Sequence, residues 1–142
     1  MTPKDFSDTA VLVSTLAQAI EEFNTHRFFE CHETLEDIWR AEPRPLRQFY
    51  KGVIQVAAGF HHLGRNNWKG TVNKLDSGTR YLEPFRPRYL GVDVQRLTDE
   101  TRGCRSTIVE LGRERIAEFD RSHIPTIAFD EREAAEEAAH LA

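Results

Sequence analysis

Residues 28–40 combine ionisable side chains with an apolar helical stripe. The apolar members recur at helical spacing: Phe28, Phe29, Leu35 and Trp39. His32 and Glu36 are four residues apart and project from the middle of that stripe, and Glu33 lies at its edge. A charged carboxylate on an apolar face is costly unless it is paired or bound. The segment therefore predicts a helix that carries a buried site containing a carboxylate and an imidazole.

Residues 46–63 carry a second line of polar and small side chains. Its members are Gln48, Gly52, Gln55, Gly59 and His62. Their spacing of three or four residues places them on one narrow strip of a helix. Glycine is unfavourable inside a helix, so two glycines on one line predict that a backbone or ligand approaches closely. We expect the 28–40 helix to pack there, so that His32 and Glu36 meet Gln55 and His62, with Asn66 or Asn67 closing one end.

Three interpretations of this cluster remain open. In the first it is a structural network in which Glu36 accepts a hydrogen bond from one histidine and Gln55 completes the set. In the second, His32, Glu36 and His62 bind a divalent metal such as zinc or iron. In the third, the residues line a small-ligand pocket with an acid/base pair, as in a hydrolase. The HExxH zinc template lacks its second histidine here, and the Glu-x-x-His pairs of di-iron bundles do not fit, because neither His32 nor His62 has a glutamate three residues before it.

The surrounding pattern predicts an all-α fold, a compact helical bundle of about five helices with short loops. The helices are expected near residues 8–23, 28–40, 46–63, 68–82 and 92–111. The third is apolar over most of its circumference and should lie at the centre. We expect a core domain at residues 1–83, a helical extension packing on it at 84–129, and a mobile tail at 130–142, where no apolar stripe is evident.

Composition narrows the class of protein. The chain has 142 residues, 39% apolar and 30% charged, with a formal net charge of −4. This charge and the acids interleaved among the C-terminal arginines make nucleic-acid binding an unfavoured interpretation. Cys31 and Cys104 are far apart and form no CxxC, which favours a reducing cytoplasmic location. No membrane span or signal-peptide core is evident, and a homodimer is plausible on base rates.

Two motifs resemble those of a family of small helical proteins, domain of unknown function 309. They are residues 29–39, with Glu30-Cys31-His32-Glu33 at their head, and residues 49–59, followed by His62-Leu63 and Gly70. Cys31 stands where the family often has a small residue such as alanine, and the segment after Pro84 extends beyond the family core. The resemblance covers about residues 8–82 and implies a compact helical bundle. It implies no activity, but it singles out His32, Glu33, Glu36, Gln55 and His62.

The sequence favours a small protein that binds a ligand or a metal through a buried His/Glu/Gln site, with a hydrolase-like enzyme as one form of that function. The alternative is a non-catalytic protein-interaction module whose polar cluster only specifies packing. The composition and motifs identify neither the ligand nor the metal.

Overall fold

The computed structural model describes residues 4–141 and confirms the all-α prediction. Its helices are α1 (Thr9–Asn24), α2 (Phe28–Ala41), α3 (Arg47–Gly64), α4 (Trp68–Leu82), α5 (Val94–Arg115) and α6 (Glu131–Ala138). Two short antiparallel strands, β1 (Arg88–Tyr89) and β2 (Val92–Asp93), join α4 to α5. Residues 1–3 and 142, which begin the predicted core and end the predicted tail, lie outside the described residues. Each helix in the described part is too short or too polar to cross a membrane.

Local side chains determine where the helices begin and end. The carboxylate of Asp8 accepts the backbone N–H groups of the second and third residues of α1, and the side-chain oxygens of Asn67 and Asp93 accept that of the third residue of α4 and α5. His26 and Asn66 follow α1 and α3 with positive φ values of 61° and 54°. A left-handed residue just after a helix ends it. The two loops that flank the α2–α3 pair are therefore specified locally.

The helices pack one against the next in the order α5, α4, α3, α2, α1, α6. α3 lies in the middle of this series, and most of its circumference is buried, as its apolar sequence predicted. Phe23 of α1, Phe28 of α2 and Phe60 of α3 form an aromatic cluster with ring centroids 5.1–6.0 Å apart. This cluster fixes which side of α2 faces the core.

The glycine strip of α3 is covered by α4. A methyl group on Gly59 would lie 2.6 Å from Leu75 Cδ2, and one on Gly52 would lie 2.6 Å from Leu82 Cγ. Gly78 of α4 faces α3 in turn. The prediction that another helix approaches this strip closely is therefore correct, but the prediction that α2 is that helix is wrong. The backbones of α3 and α4 can come this close because no side chain separates them.

The C-terminal segment folds back along α1. Asn24 makes two hydrogen bonds with the backbone of Ile127, one donated by its amide nitrogen and one accepted by its amide oxygen, at 3.1 and 2.7 Å. α6 then buries Ala134 and Ala138, at 0% and 5% exposure. The segment predicted to be a mobile tail thus contains a helix whose apolar stripe consists of alanines, a weak signal in an alanine-rich sequence.

Candidate functional site

His32 and Glu36 form a local pair at the edge of α2. The His32 Nε2 atom is 3.5 Å from Glu36 Oε1, and Arg40 Nη2 is 3.3 Å from the other carboxylate oxygen. The two side chains of the pair are 30% and 32% exposed. Glu36 is therefore solvated and paired on its own helix. The prediction that this carboxylate is buried on an apolar face is wrong.

The error comes from the rotation of α2. Its buried stripe is Phe28, Cys31, Leu35 and Ile38. Phe28 faces the aromatic cluster, and its neighbour Phe29 is left 50% exposed. The Phe29 ring stacks on His32, with centroids 6.3 Å apart, and contacts His61 of α3 at 5.5 Å. His32 and Glu36 thus lie beside the buried stripe instead of within it, because successive helical residues are about 100° apart.

The proposed metal ligands are not assembled. Within residues 4–141, no group of three or more His, Cys, Asp or Glu side chains is placed to hold a metal ion, so the set His32, Glu36 and His62 is not brought together. Glu33 lies on the exposed side of α2. The predicted meeting of all four residues fails for the same reason as the predicted α2 packing: Gln55 and His62 turn toward α4.

Gln55 and His62 instead share a cleft of about 520 Å³ between α3 and α4. We call it the α3–α4 cleft, and it is lined by Gln55, His62, Asn67, Lys69, Gly70, Asn73, Lys74 and Ser77. Its volume falls within the range of small-molecule sites. Two of the predicted site residues are thus brought together, and the remaining lining comes from the start and middle of α4.

The His62 ring is held by the first turn of α4. Asn67 Oδ1 accepts the Gly70 N–H at 2.9 Å, so the Asn67 amide nitrogen is the group that lies 3.2 Å from His62 Nδ1. An amide nitrogen is only a donor, so Nδ1 accepts and the neutral ring carries its proton on Nε2. A methyl group on Gly70 would lie 2.8 Å from His62 Cγ, so the ring packs against the bare backbone there. Asn67 thus lies against His62 at one end of the α3–α4 cleft, whereas the cluster between α2 and α3 that it was expected to close is not formed.

Gln55 contributes an amide without a protein partner. The residue is 7% exposed, and no side-chain hydrogen bond within residues 4–141 involves its amide group. Its amide atoms are not among the fully buried side-chain atoms that lack a partner, so solvent reaches them from the cleft. Because Gln55 lines the cleft, its amide is available to a molecule that occupies the cleft.

The lining of the α3–α4 cleft is electropositive. It contains Lys69, Lys74 and His62 but no carboxylate. The pKa of His62 is lowered, first by burial and then by the positive charges of His61, Lys74 and Arg65. The cleft therefore presents a neutral imidazole as a hydrogen-bond donor beside two ammonium groups. The partial positive charge at the N-terminus of α4 has the same sign.

Sequence reasoning missed the α4 side of this cleft. Lys69, Asn73 and Ser77 recur every four residues and were an available signal. A second signal was the seven-residue spacing of Leu75 and Leu82, which matches that of the two α3 glycines they cover. Because these two spacings match, together they predict that α3 packs against α4.

The comparisons with known proteins agree with the motifs. Residues 16–73 match the family model described as Domain of unknown function (DUF309). This match confirms the resemblance. The chain is also 31% identical, over 83 residues, to a protein of Bacillus subtilis (strain 168) named "Uncharacterized protein YpuF". The aligned part is 56% of this chain and 48% of that relative, so the chain spans about half of the relative's length. No solved structure matches. The DUF309 match covers the second half of α1, all of α2 and α3 and the start of α4, and α2 and α3 hold all five predicted site residues.

Proposed function

We propose that this protein binds a small phosphate-bearing anion in the α3–α4 cleft. The observation that carries the proposal is the lining itself, in which two lysines, a neutral histidine, three side-chain amides and the Ser77 hydroxyl surround a cleft without a carboxylate. Phosphate oxygens accept hydrogen bonds and carry negative charge, and Lys ammonium groups are common phosphate ligands.

The unpartnered Gln55 amide supports the same ligand class. Its NH₂ group can donate to an anion, as can the His62 Nε2–H, whose proton is fixed there by Asn67. Ser77 adds a hydroxyl donor further along α4. These groups are held on helices, so little ordering is needed on binding, and pre-organised donors bind anions more tightly than flexible ones.

Two other clefts, both lined in part by α5, suit an anion less well because each contains a carboxylate. The cleft between α5 and residues 119–126, about 580 Å³, includes Glu100 beside Arg96. The cleft between α4 and α5 includes Asp76 and Glu110 beside its arginines. In both, acids offset the cations, so neither supports anion binding as well as the α3–α4 cleft.

The experiment is a calorimetric titration of the full chain with inorganic pyrophosphate. We expect saturable binding at one site, weakened roughly tenfold in Lys74→Gln, because hydrogen bonds to charged groups contribute about 1.5–3 kcal/mol. Arg132→Gln on α6 is the matched control, since it also removes one positive charge from an exposed side chain. Equal weakening in both variants would show only general charge attraction, and absence of binding to wild type would refute the proposal.

The interaction-module alternative is favoured by one observation, the 50% exposure of Phe29. If a homodimer forms through this residue, sedimentation velocity will show a dimer in wild type and a monomer in Phe29→Ser. A monomeric wild type would refute dimer formation through Phe29. A cytoplasmic location also remains a proposal, supported by the free thiols of Cys31 and Cys104.

A further inference from the structure

A second cleft continues the first along α4. It has a volume of about 340 Å³ and is lined by Ser77, Arg80 and Tyr81. Ser77 also lines the α3–α4 cleft, so the two clefts adjoin at this residue. Both are open to solvent, and we treat them as one furrow along the outer face of α4, from Asn67 at its N-terminal cap to Tyr81 in its last turn. We call the second part the Tyr81 cleft.

The two ends of this furrow differ in chemistry. At the α4 N-terminal end are Lys69, Lys74 and the His62 imidazole. At the other end, Arg80 is paired with Asp76 at 2.9 Å, so much of its charge is offset. Tyr81 is 38% exposed, and it belongs to the small group of large hydrophobic side chains that are exposed in the described chain. One end therefore suits a phosphate and the other suits an aromatic ring.

The spacing of the two ends limits the length of the ligand. Lys74 and Tyr81 are seven residues apart, which places them on the same side of α4 and about 10 Å apart along its axis. Nucleoside phosphates carry a phosphate and an aromatic base at opposite ends of one ribose, a separation of this order. An exposed aromatic ring is the usual platform for stacking such a base.

We infer that the ligand is a nucleoside phosphate, with its phosphate at Lys69, Lys74 and His62 and its base stacked on Tyr81. This inference rests on the proposed anion binding and adds the class of ligand. The hydroxyl group of Ser77 lies between Lys74 and Tyr81, where a ribose offers hydroxyl groups.

The test compares adenosine 5′-monophosphate with ribose 5-phosphate, which has a hydroxyl group at C1 in place of the base. We expect wild type to bind the nucleotide about tenfold more tightly, because base–aromatic stacking accounts for a factor of this size or more. Tyr81→Leu should remove that difference and leave ribose 5-phosphate binding unchanged. Lys74→Gln should lower the affinity for both compounds. Phe29→Leu, which alters an exposed aromatic residue on α2, is the matched control and should change neither affinity.

The outcomes separate this inference from the proposal on which it rests. Equal affinity for the two compounds in wild type, or a nucleotide preference that survives Tyr81→Leu, would overturn the assignment of the base to Tyr81 while anion binding stands. If neither compound binds and pyrophosphate does not bind either, the nucleotide inference and the proposed anion site are both overturned. Because Tyr81 is partly exposed, circular dichroism of Tyr81→Leu should match wild type and show that a loss of binding is not a loss of fold.

Discussion

Replacing Gly59 with alanine tests the α3–α4 packing that creates the cleft. The new methyl group would lie 2.6 and 2.9 Å from side-chain carbons of Leu75 and 3.2 Å from its backbone nitrogen. Leu75 is 0% exposed, so its side chain can move only among its neighbours in the core. The substitution gains about 1 kcal/mol of helix propensity. Overpacking costs about 1–3 kcal/mol, and contact with a backbone atom favours the upper part of that range.

We therefore expect Gly59→Ala to lower the free energy of unfolding by about 1–2 kcal/mol. The control is Gly103→Ala in α5, where a methyl group would meet nothing within 4 Å. That variant should gain about 1 kcal/mol, so the two should differ by about 2–3 kcal/mol. Gly78 is unsuitable as a control, because its methyl group would lie 2.6 Å from Val56 Cγ2.

The assay is urea unfolding followed by circular dichroism, with equal m-values required of both variants. If Gly59→Ala is as stable as Gly103→Ala, α4 does not pack on the glycine strip as described. The description of the α3–α4 cleft, which depends on this packing, would then also be wrong.

Three further predictions concern other contacts. Because the pKa of His62 is lowered in the folded chain below its usual 6.5, the unfolded chain takes up the proton first as pH falls. The stabilisation from neutral His62 is therefore present above about pH 6.5 and lost below it. The free energy of unfolding should accordingly differ less between about pH 7.5 and about pH 5.5 in His62→Gln than in wild type. Trp68→Phe removes the indole donor to the Ile108 carbonyl, 2.9 Å away, and should cost about 0.5–1.5 kcal/mol in a urea titration; an unchanged midpoint would contradict that bond. Ala134→Asp buries a carboxylate under α6 and should raise amide exchange in α6 but not in α3, whereas unchanged exchange in α6 would contradict its docking on α1.

The helices could be predicted from the sequence because their signals are local. The fourth helix was expected at residues 68–82, the bounds that the structure gives for α4. Asn67 marks its start by capping it, and the apolar residues Val72 and Leu75 mark its inner face. Such signals act within a few residues, so a single chain reveals them.

The candidate site depended on tertiary information that the sequence lacks. Phe28 and Phe29 are adjacent, and only the neighbouring Phe23 and Phe60 decide that Phe28 is buried. This choice rotates α2 and places His32 beside the buried stripe, where its side chain is 30% exposed although its Nδ1 atom is buried. The glycines of the α3 strip likewise predict that another backbone comes close, but they do not identify α4 as the helix that provides it. Gln55 was correctly expected to be buried, but the cleft that it faces is completed by residues of α4.

The most direct test of the anion site is a pyrophosphate titration of ¹⁵N-labelled protein followed by NMR. We predict that the resonances of the backbone amides of Gly70, Asn73 and Ser77 and of the side-chain amide of Gln55 shift together, with one saturation curve. Shifts confined to α2 around Glu36, or shifts spread over the surface without saturation, would contradict it.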